Sequence, residues 1–132
     1  MRILLVNPPA NVIEKPDFGE LWGSVQHTFT SDNILVHAIN HGLLSIGSYL
    51  KHHGHDVTIL DLSYNQNDSS NNLDRFARLK ACLASIKFDV AGISSQSGYD
   101  YLESLECATI VKQAQPKCTT IIGGQHAGFL GE

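Results

Sequence analysis

Residues 89–116 read DVAGISSQSGYDYLESLECATIVKQAQP, which joins a short apolar run, a small polar loop and a segment with helical spacing. The uninterrupted run at 90–94 is typical of a parallel strand that is buried on both faces. In the segment that follows, one apolar stripe is predicted to consist of Leu102, Leu105, Ala108 and Val111. The helix is expected to end before Pro116, because proline cannot continue it. This unit predicts a strand followed by a crossover helix, as in α/β proteins.

The rest of the chain repeats this unit. Further apolar runs occupy residues 3–6, 57–60 and 119–122. Two more amphipathic helices are predicted, with stripes of Ile39, Leu43, Ile46 and Leu50 and of Phe76, Leu79, Leu83 and Ile86. Asn40 is predicted to cap the first of these helices and Gly54 to end it. The order βαβαβαβ predicts a doubly wound, flavodoxin-like or Rossmann-like parallel sheet with strand order 2-1-3-4.

The composition indicates one globular domain over residues 1–132 and excludes several kinds of partner. The formal net charge is −4 and the nine Lys and Arg residues are scattered, which argues against a nucleic-acid surface or a basic membrane patch. No apolar run approaches the roughly 20 residues of a membrane-spanning helix. Three widely spaced cysteines disfavour a disulfide framework, a zinc site or an iron–sulfur site, and indicate buried thiols of a cytoplasmic protein.

Three loops at the carboxyl ends of predicted strands contain the residues of chemical interest. Asn7-Pro8-Pro9 follows the first strand, where two prolines remove backbone donors and make the exit rigid. Ser94-Ser95-Gln96-Ser97-Gly98 follows the third, and its hydroxyl and backbone N–H groups can receive amide or phosphate oxygens. Gly123-Gly124 follows the fourth and permits close approach of a bulky ligand. Each loop alone also has a purely structural explanation, as a strand end, a helix cap or a turn with positive φ.

Other motifs point to structure more than to chemistry. His52, His53 and His55 lie where a helix ends, and histidine there can cap free carbonyl groups. Dinucleotide and P-loop fingerprints are absent from the sequence. Asp61 and Asp100 are interpreted as structural. The connection from Pro8 to about Ile39 is longer than the roughly 12–15 residues of most loops; Trp22 within it is expected to pack on the domain or to cover a cofactor.

The loops in combination resemble one family. The fragments MRILLVNPP, GLLSIGSYLKHHGHDVTILDL and TTIIGGQHA, together with the unit at 89–116, are similar to the cobalamin-binding domain at the amino end of cobalamin-dependent radical S-adenosylmethionine enzymes. The resemblance runs from residue 1 to about 130 and covers 10–38 least. It implies that the chain is an amino-terminal part of a longer protein, with a fifth strand beyond residue 132.

The family resemblance implies a role for each loop. Asn7, Pro8 and Pro9 would lie under or beside the corrin ring of cobalamin. The corrin amides and the nucleotide tail would receive hydrogen bonds from the third loop, and the glycines would leave room for the tail. The residues implied in cofactor binding are Asn7, Pro8, Pro9, Ser94, Ser95, Gln96, Ser97, Gly123, Gly124 and His126.

Two differences between this sequence and related cobalamin-binding motifs concern the ligand of the cobalt ion. Methionine-synthase and mutase types carry DxHxxG after the first strand, whose histidine is the lower cobalt ligand. This chain has no histidine between Asn7 and Val12, which fits binding with the nucleotide base displaced and no protein histidine on cobalt. The family often has proline before GLL, where this chain has His41. His41 is the alternative cobalt ligand, because its position near the start of the first helix could face the corrin.

The resemblance implies a chain that is not catalytic by itself. S-adenosylmethionine and a 4Fe-4S cluster, bound at a CxxxCxxC motif, would belong to a carboxy-terminal domain of the parent, a methyltransferase or cyclase. One alternative is a degenerate domain that binds no cofactor and serves as an interaction module; Gly123-Gly124 argues against it. A flavodoxin-like or receiver domain is the other, and Asn7 argues against a receiver because that site needs an acidic cluster.

Overall fold

The computed structural model describes residues 1–9, 40–63, 74–96 and 100–130. Four strands form one sheet: β1 (Arg2–Asn7), β2 (Asp56–Asp61), β3 (Val90–Ser94) and β4 (Thr119–Gly123). The helices are α1 (His41–His52), α2 (Ala77–Ser85), α3 (Tyr101–Ala114) and α4 (Gln125–Leu130). Trp22 and the other residues of 10–39 lie outside the described residues, as do the predicted site residue Ser97 and the side chain of His126.

The sheet confirms the predicted topology. All paired strands are parallel, and their order is β2-β1-β3-β4. The chain therefore winds outward in both directions from the β1–β3 pair, and α1 lies on one face while α2 and α3 lie on the other. Such a doubly wound sheet places the β1–β3 switch point at its carboxyl edge, where ligands of this fold class bind.

The two faces of the sheet have cores of different size. The larger core joins β-strand residues such as Leu4, Val6 and Ile93 to α2 and α3. The smaller core, under α1, joins Ile3, Leu5, Leu43 and Val57. Helix α1 contacts β1 and β2, whereas Ile121, on the same face of β4, is 54% exposed.

The predicted helix stripes are only partly correct. In α1 the buried positions are Leu43 and Gly47, whereas Ile46 is 52% exposed. The reason is a close approach: a Cβ on Gly47 would lie 2.7 Å from Ile59 Cδ1, so the helix packs with its glycine against the sheet. Leu79 and Leu83 of α2 are buried as predicted, but Ile86 lies beyond the helix end and is exposed.

The stripe predicted for α3 is wrong by about one position. Leu102 is 66% exposed and Leu105 is also exposed, while Val111 is buried as predicted. The buried face consists of Glu103, Ser104, Cys107, Ile110 and Val111. This face includes two polar residues, which apolar periodicity cannot identify. The Ser104 hydroxyl instead bonds the carbonyl groups of Ser94 (2.8 Å) and Asp100 (2.7 Å), and thereby ties α3 to the end of β3.

Both predicted ends of α1 are confirmed. The Asn40 side chain accepts a hydrogen bond from the Leu43 backbone N–H. At the other end Gly54 has a φ of +82°, its N–H bonds the Lys51 carbonyl, and the His55 N–H bonds the Leu50 carbonyl. These paired bonds form a Schellman motif. The His53 ring nitrogen also lies 2.8 Å from the Tyr49 carbonyl oxygen, in agreement with a capping role for the histidines here.

The buried-thiol interpretation holds for two of the three cysteines. Cys107 and Cys118 are buried in the larger core, and Cys82 is partly buried against it. Burial, together with the neighbouring carboxylates of Glu106 and Glu103, raises the pKa of the Cys107 thiol to about 12. A thiol with so high a pKa is neutral near pH 7 and is a poor nucleophile or metal ligand.

Gln115, buried at the end of α3, fastens the connection between α2 and β3. Its Nε2 donates to the carbonyl oxygens of Leu83 (2.8 Å) and Ile86 (2.6 Å), and its Oε1 accepts from the Phe88 N–H (2.9 Å). One side chain thus supplies partners to three backbone groups that no helix or strand ladder satisfies.

We expect Gln115→Ala to destabilise the domain by about 2–4 kcal/mol, because buried backbone groups lose their partners. Chemical denaturation of this variant and of Gln113→Ala, an exposed glutamine of the same helix, measures the difference. Equal stability of the two variants would contradict the role assigned to Gln115.

Candidate binding site at the carboxyl edge of the sheet

A row of polar groups ends the sheet on the face that α1 covers. The strand register pairs Asn7 with Asp61 and Ser94 with Gly123, and the β1–β3 ladder brings Asn7 beside Ser94. We call Asp61, Asn7, Ser94 and Gly123 the polar row. The row below it, one pleat nearer the amino edge, is Ile59, Leu5, Gly92 and Ile121. The site is therefore a polar rim on an apolar sheet face.

Asp61 and Asn7 form the β2 side of the polar row. The Asn7 Nδ2 donates to Asp61 Oδ1 at 3.0 Å and approaches Ser63 Oγ at 3.4 Å. The same carboxylate oxygen accepts the Ser63 N–H (2.9 Å) and hydroxyl (2.6 Å). Partial burial works to raise the pKa of Asp61, but the hydrogen bonds from Ser63 and Asn7 and the charge of Arg78 hold it below its usual value. Asp61 is therefore a carboxylate near neutral pH.

Asn40 joins the two halves of the polar row. Its Nδ2 donates to Asn7 Oδ1 at 3.1 Å and to Ser94 Oγ at 3.0 Å, while its Oδ1 accepts the Leu43 N–H at 3.1 Å. The start of α1 is thereby fixed to the ends of both β1 and β3. From the sequence, Asn40 is predicted only as a helix cap. Its hydrogen bonds to the ends of two strands depend on the folded structure, which spacing along the chain does not reveal.

Ser95 and the two glycines lie side by side at the ends of β3 and β4. The Ser95 N–H donates to the Gly123 carbonyl at 2.7 Å. A Cβ on Gly124 would overlap the Ser95 carbonyl oxygen and lie 2.8 Å from its carbon, and the φ of Gly124 is +123°. Only glycine suits this position. Gly123, in contrast, is exposed, and a Cβ there would meet no described atom within 4 Å.

The Ser95 hydroxyl is buried at this edge without a partner. Ser95 is 0% exposed, and no described residue forms a hydrogen bond with its Oγ. An unpaired buried hydroxyl costs free energy of about 1–3 kcal/mol. A ligand bound at these strand ends could supply the missing partner, since the Ser95 backbone contacts Gly123 and Gly124.

The remaining predicted residues are placed as follows. Pro8 and Pro9 are buried directly after β1, and the Asn7 carbonyl accepts the Leu62 N–H at 2.9 Å, so the exit from the strand is held rigidly. Gln96 is exposed, and its N–H bonds Asp100 Oδ2 at 3.2 Å. His41 is the exposed first residue of α1. Thus Asn7, Ser94, Ser95 and both glycines converge, and the proline pair flanks them.

The described parts of the chain contain neither a cluster of metal ligands nor a membrane-spanning helix. Within residues 1–9, 40–63, 74–96 and 100–130, no three His, Cys, Asp or Glu side chains lie close enough to hold a metal ion. Among the same residues, no helix has the length and apolar character needed to cross a membrane.

The structure predicts a sharp difference between two glycines. Gly124→Ala should destabilise the domain by about 2 kcal/mol or more, because it adds a strained φ to a clash with the Ser95 backbone. Gly128→Ala in α4 meets no described atom within 4 Å and should leave stability unchanged or slightly higher. Thermal denaturation of both variants measures this, and a Gly124→Ala protein as stable as Gly128→Ala would refute the described packing.

One comparison with known proteins gives a match. Residues 31–132 match the family model described as a B12 binding domain. No curated protein and no solved structure matches the chain.

Proposed function

The chain belongs to the B12-binding domain family, and we propose that it binds cobalamin at the carboxyl edge of its sheet, without a histidine on cobalt, and presents it to a radical S-adenosylmethionine domain. Family membership supports cobalamin as the ligand. The observation that best supports the position of the site is the buried, unpartnered hydroxyl of Ser95, a residue whose backbone contacts Gly123 and Gly124.

The described residues offer cobalamin complementary groups. Cobalamin has peripheral amides that donate and accept hydrogen bonds and a nucleotide tail that is long and bulky. Ser94, Ser95 and Gln96 would bind these polar groups, with Ser97 and His126 as further members of the proposed set. The exposed residues Ile121 and Gly123 of β4 would border the space for the tail. The buried proline pair would support the ring from the end of β1.

The chain's sequence supports binding without a histidine ligand. Asn7, Pro8 and Pro9 occupy the strand end that carries the ligand histidine in DxHxxG domains, and Asn7 already bonds Asp61 and Asn40. His41 is the alternative ligand, because it is exposed at the start of α1 on the same edge.

Cobalamin supplies a cobalt centre that carries methyl groups or takes part in radical chemistry, and the protein's part is to bind and orient it. S-adenosylmethionine and a 4Fe-4S cluster would be held by the partner domain, in a parent methyltransferase or cyclase. The coding sequence after residue 132 tests this part of the proposal. A CxxxCxxC motif there supports it, whereas a stop codon or an unrelated domain would contradict it.

Cobalamin binding is tested by absorbance titration of the purified chain with hydroxocobalamin. We expect saturable uptake of one corrinoid per chain, and a weaker affinity by at least tenfold for Gly123→Val, whose side chain would enter the proposed tail space and whose Cβ would meet no described atom within 4 Å. Ser45→Ala, an exposed change on α1, serves as the control. A chain that folds but takes up no corrinoid would instead be the interaction module considered above.

The cobalt ligand is tested by electron paramagnetic resonance of the bound cob(II)alamin. We expect no nitrogen superhyperfine splitting, because neither the nucleotide base nor a histidine would coordinate cobalt. Uniform ¹⁵N labelling of the protein supplies the control: a splitting that changes on labelling and disappears in His41→Ala would show that His41 is the ligand. A splitting that survives labelling unchanged would show that the nucleotide base remains bound.

A further inference from the structure

The hydrogen bonds of Asn40 identify its amide oxygen and nitrogen. A backbone N–H only donates, so the atom 3.1 Å from the Leu43 nitrogen must be the oxygen. The nitrogen therefore faces the other way, toward Asn7 Oδ1 at 3.1 Å and Ser94 Oγ at 3.0 Å. The helix cap thus fixes the orientation of an amide whose two hydrogens both point into the polar row.

The opposite end of the row agrees with this orientation. Ionised Asp61 only accepts hydrogen bonds, so the Asn7 atom 3.0 Å from its Oδ1 must be the amide nitrogen. The Asn7 oxygen then faces the Asn40 amide nitrogen, in agreement with the orientation that the helix cap fixes for Asn40. Two independent groups, a backbone N–H and a carboxylate, therefore impose the same direction on the whole chain of hydrogen bonds.

This direction determines what Ser94 can do. Its Oγ accepts from Asn40, and its single hydrogen has no acceptor among the residues that the structure describes. We infer that Asn40 is a positioning residue that holds Ser94 as a hydrogen-bond donor toward an acceptor atom of the bound corrinoid. The inference rests on the proposed function, and it adds that Asn40 controls the polarity of the site without contacting the ligand.

The substitution Asn40→Asp keeps the helix cap at residue 40 but removes its hydrogen-bond donor. An aspartate still accepts the Leu43 N–H and suits a helix N-terminus. It has no hydrogen to donate, however, so the Ser94 hydroxyl would turn and donate to the new carboxylate. The variant should therefore lose the ligand contact of Ser94 although Ser94 itself is unchanged.

A double-mutant cycle measures this coupling. We expect Asn40→Asp and Ser94→Ala each to weaken cobalamin binding about tenfold, as for one lost hydrogen bond, and the double variant to bind no more weakly than either alone. Gln113→Glu adds the same charge at an exposed, remote site and Ser45→Ala removes an exposed hydroxyl; both should bind as wild type. A double variant weakened about a hundredfold, as independent effects require, would overturn the inference.

A second arm needs no cofactor. With Asn40→Asp the Asn7 amide should rotate to donate to the new carboxylate and withdraw its donor from Asp61. The pKa of Asp61, followed by NMR of the carboxyl carbon, should then rise, and the side-chain NH₂ signals of Asn7 should shift with it. A rise without a shift of the Asn7 signals would reflect charge repulsion alone and would refute the fixed direction, as would an unchanged pKa. If wild type takes up no cobalamin the proposed function fails, yet this arm still decides the orientation. Should Asn40→Asp not fold, Asn40→Ser, which caps the helix but cannot bridge to Asn7 and Ser94, replaces it in the double-mutant cycle with the same expected coupling.

Discussion

The side-chain amide of Asn40 holds the carboxyl edge of this domain together. It satisfies a backbone N–H at the start of α1 and donates to the ends of β1 and β3, so one planar group bridges three elements. Without it the start of α1 would lose its side-chain hydrogen bonds to the ends of β1 and β3, which are themselves paired in the sheet. The geometry of the proposed cofactor site therefore depends on a residue that need not touch the cofactor.

The apolar layers explain why this edge can be polar. Leu4, Val6 and Ile93 pack under α2 and α3, and the Ser104 hydroxyl anchors α3 to the end of β3. On the other face α1 approaches closely because Gly47 lies against Ile59 and Leu5. These contacts fix the strands and leave their carboxyl ends to polar side chains. On β4 of this face Ile121 and Gly123 are exposed, and in the proposed function they border the nucleotide tail.

Much of the fold was predictable from the sequence, since buried parallel strands produce uninterrupted apolar runs. Strand order, the Asn40 cap and the Gly54 terminus all followed from local patterns. The faces of the helices were harder to predict. In α1, Gly47 and not Ile46 is buried, because the close approach of the helix to the sheet favours a small residue. In α3, Ser104 is buried because its hydroxyl donates to a carbonyl group of β3. Hydrophobic periodicity contains neither kind of information.

The residues of the candidate site were likewise predictable only in part. The position of the three loops at one edge followed from parallel topology, and Asn7, Ser94, Ser95 and both glycines do come together there. Asp61 and Ser63 were not included among the site residues, because their contacts with Asn7 cross from one strand to another. Such contacts depend on register, which a single sequence specifies only indirectly. The match to the B12-binding family then supports the ligand that the loops in combination suggested.

Backbone NMR of the chain during titration with cobalamin is the most direct test of a cobalamin site at the carboxyl edge of the sheet. Large shift changes are predicted at Asn7, Ser94, Ser95 and Gly123, and at the neighbouring rim residues, with the amino edge around Gly54 unaffected. Changes centred on the amino edge, or no changes at saturating cobalamin, would contradict a cobalamin site at the carboxyl edge.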